Sequence, residues 1–247
     1  RLLAGLPSGM RVRLRQIPDF LRLVAWIILV IALARPQSGS GEEVVRGEGL
    51  DIVMALDISD SMRSDDFSGL RRFDGAKDVM VDFINGRIND RIGLVIFAED
   101  AFYQAPPTTD YNILIELVED TPLGQEIGLS NRTALGLAIA SSTNLLRRSA
   151  SPSQVIILVT DGSNNAGEVD PITAAQAAAA FGVRIYTVGI GTTTQGDALD
   201  AGTLEGIANI TDGRYFNANT LDGLRLVYEQ IDALETSPIE RQLTIRW

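Results

Sequence analysis

The sequence predicts an α/β protein, a doubly wound, mostly parallel sheet flanked by helices and preceded by a transmembrane helix. Three observations carry this reading. Between residues 51 and 234, short apolar runs alternate with amphipathic or alanine-rich stretches, the rhythm of repeated βαβ units. Those runs are mostly apolar on consecutive positions, as expected of strands covered on both faces. Upstream, residues 23–34 (LVAWIILVIALA) are uninterrupted by any polar side chain and follow a cluster of arginines.

The upstream element comes first. Residues 1–41 carry six Arg and one Asp, a charge of +5, while the rest carries 15 basic and 31 acidic residues, a charge of −16. The apolar run is short against the roughly 20 residues a spanning helix needs. Phe20 and Leu21 extend it backward past Arg22, which can snorkel to the interface, and Pro18 and Pro36 bracket a helix of suitable length. A buried core helix is the alternative, but it would not carry Arg11, Arg13, Arg15 and Arg22 ahead of a run apolar on every side. The expected organisation is a basic cytoplasmic segment at 1–19, a transmembrane helix at 20–36 and a linker at 37–47. The arginines before the run, against Gly41-Glu42-Glu43 after it, place the acidic body outside or in the periplasm. Ala-Arg-Pro is a poor cleavage site for a signal peptide.

In the acidic body the strands are expected at 51–56, 92–97, 155–160 and 183–188. Residues 101–104 read as a short edge strand pairing antiparallel after the Glu99-Asp100 turn. Phe73, Ala76, Met80, Phe83 and Ile84 recur at helical spacing, predicting a helix over 70–87. Further helices are expected at 111–119, 133–147, 171–181, 200–209 and 221–234. Pro171 suits a first helical turn with Asp170 as its cap.

Composition narrows the chemistry. The acidic body argues against nucleic acid, which is bound through clustered Lys and Arg. The chain has no Cys and no His, so thiolate and imidazole metal sites are excluded and any metal is a hard cation held by oxygen: Mg or Mn, with Ca less favoured. Gly189-Ile190-Gly191 lacks the third glycine of a dinucleotide fingerprint.

In an open sheet of this kind ligands gather at the carboxyl ends of the strands. The first strand runs into Asp57-Ile58-Ser59-Asp60-Ser61, the third strong one into Thr160-Asp161-Gly162-Ser163, and Asn131-Arg132-Thr133 opens a helix between them. Asp57, Ser59 and Ser61 alternate, so one carboxylate and two hydroxyls can point the same way. Asp161 offers a second carboxylate and Thr133 a third hydroxyl. Any one of these pieces alone reads as a turn or a helix cap; together, in three loops, they read as a site for a divalent ion.

The Asp-x-Ser-x-Ser, Thr and Asp elements resemble the metal-ion-dependent adhesion site of von Willebrand factor A (VWA) domains. The resemblance spans residues 48–235; residues 236–247 are expected to be a C-terminal linker leading to a further segment absent from this chain. DIVMALDISDSM, DRIGLVIFA, SNRTALGLAIA, VIILVTDGSNNAG and VRIYTVGIGT, with ALARPQ after the apolar run, most resemble bacterial membrane-anchored Bat-type aerotolerance proteins. The resemblance implies that Asp57, Ser59, Ser61, Thr133 and Asp161 form the metal site and that a partner protein supplies an Asp or Glu to the ion. It also implies a place in the bacterial inner membrane with the VWA domain on the periplasmic side. Sibling VWA proteins and, indirectly, a MoxR-type ATPase are the implied associates. Asp60 stands where many relatives carry Gly and, with Asp65 and Asp66, is expected to add negative charge beside the site.

Two other function classes stay open. Asp57 at the end of a first strand could start a metal-dependent phosphotransferase-like enzyme, but such enzymes need a second Asp two positions on, where Ser59 stands, and a distant Lys. The single Lys, Lys77, falls on a helix. A metal-free structural domain is the third class. A non-enzymatic interaction module is the leading expectation.

Overall fold

The computed structural model describes residues 8–33, 49–65, 69–162, 164–191 and 200–235. Two compact units divide the chain, one holding the N-terminal helix and the other spanning Arg46–Arg241.

The N-terminal helix α1 covers Ser8–Leu33 and runs through Pro18 rather than starting at it. Phe20, Leu23, Trp26, Ile27 and Val30 are all exposed. The transmembrane helix expected at 20–36 is not reproduced: among the described residues, no helix is long and apolar enough to cross a membrane. In α1 the apolar positions from Leu23 onward follow turns that carry Arg11, Arg13, Arg15, Asp19 and Arg22, and the helix is described only as far as Leu33. Residues 34–48, which hold the rest of that span and the linker, lie outside the described residues, as do 236–247.

The second unit is a six-stranded sheet. Its strands are β1 (Asp51–Asp57), β2 (Arg91–Phe97), β3 (Ala101–Thr108), β4 (Gln154–Thr160), β5 (Val183–Ile190) and β6 (Tyr215–Ala218), ordered β3-β2-β1-β4-β5-β6. All neighbours are parallel except the edge pair β2 and β3. The four strong strands expected from their apolar runs all form. They stay buried because both faces are covered: Ile52, Met54 and Leu56 of β1 enter one core, Val53 and Ala55 the other. Each such side chain, fully buried, contributes roughly 1.5–3 kcal/mol.

Helices α2 (Arg72–Asn85), α3 (Tyr111–Glu119) and α7 (Leu221–Leu234) pack on the first face. Helices α4 (Leu135–Leu146), α5 (Pro171–Ala180) and α6 (Ala201–Ile210) pack on the second. Asp170 caps α5 by accepting the Thr173 amide, with Pro171 in the first turn, as its sequence predicts.

Two elements differ from expectation. β3 runs four residues further than 101–104, through Pro106 and Pro107, which an edge strand tolerates because its outer side needs no donor. The register shifts between Leu94–Ala105 and Ile92–Thr108 absorb them. β6 is an addition, four residues long with Asn217 exposed. It lies against β5 because Gly213 has no side chain: a Cβ there would stand 1.9 Å from the Ile185 carbonyl oxygen.

Candidate metal centre

The strand order reverses between β1 and β4, the two central neighbours, since the chain after β1 builds outward one way and the chain after β4 the other. Loops leaving such a pair diverge to opposite faces and open a crevice at their carboxyl ends. Asp57 ends β1, and Asp161 follows the last residue of β4. Leu56 pairs with Val159, so the next residues, Asp57 and Thr160, come together: the Thr160 hydroxyl donates to Asp57 Oδ2 at 2.6 Å.

Every atom of Asp57 is enclosed. The Ser59 amide donates to its Oδ1 at 2.8 Å, turning the chain so that a short 3-10 segment, Asp60–Arg63, follows. That turn brings the Ser59 and Ser61 hydroxyls within 3.0 Å of each other. Ser61 in turn donates to Asp161 Oδ1 at 2.7 Å. On the far side of Asp161, Arg72 Nη1 donates to Oδ2 at 2.8 Å.

Thr133 arrives from the third loop. It is buried, with its amide donating to Asn165 Oδ1 at 2.8 Å and its carbonyl accepting from the Asn165 and Ala166 amides. The Leu135 amide donates to Asn164 Oδ1 at 2.9 Å, so the loop after β4 caps α4, whose own N-cap Ala134 has no side-chain acceptor. Ahead of Thr133, Glu99 accepts from the Ser130 hydroxyl, the Ser130 amide and Arg132, which hold its carboxyl down to about 2. A Cβ on Gly162 would lie 3.5 Å from the Thr133 hydroxyl and 3.9 Å from that of Ser61. The absence of one leaves both hydroxyls facing a common space.

The five expected residues therefore meet at one crevice. Asp57, Ser59, Thr133 and Asp161 are buried and Ser61 is half-buried. Asp60, between Ser59 and Ser61 in sequence, pairs with Arg63 at 3.1 Å. Asp65 is exposed, and Asp66 and Ser163 lie outside the described residues. Three further residues escape the motif: Thr160, which the parallel register beside Asp57 could have revealed; Asn165, which holds the Thr133 loop; and Arg72, for which the sequence carries no signal.

The electrostatics follow from enclosure. Burial, and then the charge of Asp161, push the Asp57 carboxyl up to about 7. Burial likewise raises Asp161, while Ser61 and Arg72 oppose it. Two buried carboxylates, with three hydroxyls converging and one guanidinium, make an all-oxygen donor set short of positive charge. Among the described residues no three acidic side chains gather at one point, so the hydroxyls are needed to complete a coordination shell. That set fits a hard divalent cation that keeps some of its water.

Residues 51–230 match the family model of the von Willebrand factor type A domain. The chain belongs to this family. An uncharacterised protein from Borreliella burgdorferi is 36% identical over 177 residues, covering 72% of this chain and 51% of that protein; the chain thus spans about half the length of this curated relative. Among solved VWA structures, BatB from Bacteroides thetaiotaomicron is 26% identical with a TM-score of 0.66, covering 75% of this chain and 98% of the other. An aerotolerance-related membrane protein from Bacteroides fragilis is 25% identical with a TM-score of 0.65 and the same coverage. The Bat-type resemblance of the sequence is matched by these structural neighbours, and the VWA fold places the three motif loops on one edge of the sheet.

Proposed function

We propose that this VWA domain is an interaction module that binds a partner protein through a divalent metal ion, in a membrane-associated bacterial envelope assembly of the aerotolerance type. One observation carries the reading: three loops from the carboxyl edge bring two buried carboxylates and three hydroxyls to a single space, with Arg72 as the cation that the described residues pair with Asp161. Asp57, Ser59, Ser61, Thr133 and Asp161 would hold the ion, Mg or Mn by the hardness of the donors. The ion would supply an open coordination position for an acidic side chain of the partner.

The phosphotransferase alternative fits the geometry poorly. Both oxygens of Asp57 already accept hydrogen bonds, from Ser59 and Thr160, and Asp57 has no exposed surface from which to attack a phosphoryl group. Lys77 donates to the carbonyls of Glu119 and Thr121 at the end of α3, away from the crevice. A metal-free structural role gives no reason for two carboxylates to be buried with so little counter-charge, an arrangement that costs stability.

Membrane association rests on the exposed apolar side chains of α1 and on the description of the Bacteroides fragilis neighbour. A periplasmic VWA domain, with sibling VWA proteins beside it and residues 1–19 reaching a MoxR-type ATPase in the cytoplasm, is the arrangement the Bat resemblance favours. Reporter fusions before Arg22 and after Glu43 test it; a cytoplasmic signal from the second overturns the orientation. The metal reading is tested by calorimetric titration with Mg, where Asp57→Ala is expected to abolish the heat. Crosslinking pull-downs of wild type and Thr133→Ala, with and without EDTA, test the partner. A partner captured equally under every condition rules out binding through the ion.

A further inference from the structure

Helix α2 opens on two arginines, Arg71 and Arg72, where the helix dipole favours acidic side chains. Arg71 has a local explanation, since its Nε and Nη2 bind Asp74 at 2.6 and 3.0 Å. Arg72 instead turns inward to Asp161, and the paired side chains are 13% and 0% exposed. The slot that receives it is shaped by Gly191 at the end of β5. Gly191 has φ +118°, and a Cβ there would stand 2.9 Å from the guanidinium carbon. A residue that is not glycine would be strained at that φ and would push the guanidinium out.

The guanidinium therefore sits in a prepared place beside the metal crevice. It carries a charge that no accessible pH removes. With Ser61 on Oδ1 and Arg72 on Oδ2, both oxygens of Asp161 are committed. Among the described residues, Asp57 in contrast receives neutral donors, the Ser59 amide and the Thr160 hydroxyl. A divalent ion entering this enclosure meets a fixed positive charge at one of its two carboxylates, in a setting where water screens little.

We propose that Arg72 is a built-in counter-cation that a divalent ion must displace from Asp161. Metal binding and the Arg72–Asp161 contact are then mutually exclusive, and Arg72 sets how tightly the site holds its ion. The inference rests on the metal reading of the site and adds a positioning residue that the motif does not contain. In the metal-free state Arg72 keeps Asp161 satisfied; in the metal-bound state it is released toward the mouth of the crevice.

The test titrates Mg into the full chain as wild type, Arg72→Gln and Arg72→Lys, and melts each protein in EDTA. Arg72→Gln is expected to bind Mg at least about tenfold more tightly, because a like charge leaves the enclosure, and to melt lower in EDTA. Arg72→Lys, which keeps the charge, is expected to stay near wild type in Mg affinity. A merely structural arginine would lower the melting temperature without tightening Mg, so an unchanged or weakened affinity in Arg72→Gln overturns the proposal. A second measurement needs no variant: the slowed guanidinium NMR signal of Arg72 in wild type is expected to vanish as Mg saturates the site, and its persistence overturns the exchange. Asp57→Ala separates the two levels. If Mg heat survives in Asp57→Ala, the ion lies elsewhere and both readings fall. If it is lost there but indifferent to Arg72→Gln, the metal site stands and only the exchange falls.

Discussion

Asp57 has an environment that favours its protonated form, and this dictates a pH dependence. Its carboxyl rises from an ordinary 3.8 to about 7 through burial and then Asp161. Below 3.8 the folded and unfolded chains both hold the proton, so the group is neutral toward stability. As pH rises toward 7 the unfolded chain gives up the proton first, and metal-free stability is progressively lost. Above about 7 the loss is complete. Thermal unfolding in EDTA across this window is expected to show that decline in wild type, while Asp57→Asn, which has no proton to lose, shows less of it; parallel profiles would refute the assignment. Mg, by favouring the ionised form, is expected to stabilise more at pH 8 than at pH 5. At this scale Asp57, Ser59, Ser61, Thr133 and Asp161 were legible because alternation and strand ends bring them into view. Arg72 was not, since nothing local distinguishes an arginine that folds inward from one that faces solvent. The pairing of Asp60 with Arg63 was not legible either, because it depends on the 3-10 turn that brings them together.

Between elements, the loops of the site are stitched to one another rather than to their own helices. Asn164 does for α4 what Ala134 cannot, so its loss is felt across the crevice. Asn164→Ala is expected to lower stability by about 1 kcal/mol, as the loss of a helix cap does, readable as a shift in the urea midpoint without a change in slope. It is also expected to weaken Mg binding, because Thr133 sits immediately before the uncapped turn. A stability loss with unchanged Mg affinity would show that Thr133 is held by Asn165 alone. The helices and the central strands were legible from periodicity and from apolar runs. β6 was not: four residues, one of them Asn217, fall below the length at which alternation can be told from chance. β3 was read too short because Pro106 and Pro107 normally end a strand, and only an unpaired outer edge excuses them.

Across the whole molecule, a ligand held by three separated loops couples to global unfolding, because the unfolded chain cannot assemble the donors. The melting temperature is therefore expected to rise with Mg concentration, reaching about 2.7 kcal/mol of added stability when free Mg is one hundred times its dissociation constant. EDTA should reverse it, and Asp57→Ala should abolish it. A melting temperature blind to Mg in wild type would argue that the crevice holds no ion. The far pole of the sheet has the opposite character. There Glu235, closing α7, accepts from Tyr186 at 2.7 Å and from Ser153 at 3.2 Å, and pairs with Arg184. The Ser153 carbonyl accepts the Asp51 amide at the start of β1. The chain thus comes into and out of the domain at one pole, with the crevice at the other. Mechanically, under the proposed function, a load between a partner held through the ion beside Asp57 and the start of the strand at Asp51 would run along the axis of β1. It is shared by that strand's ladders to β2 and β4 at once, in shear rather than by peeling.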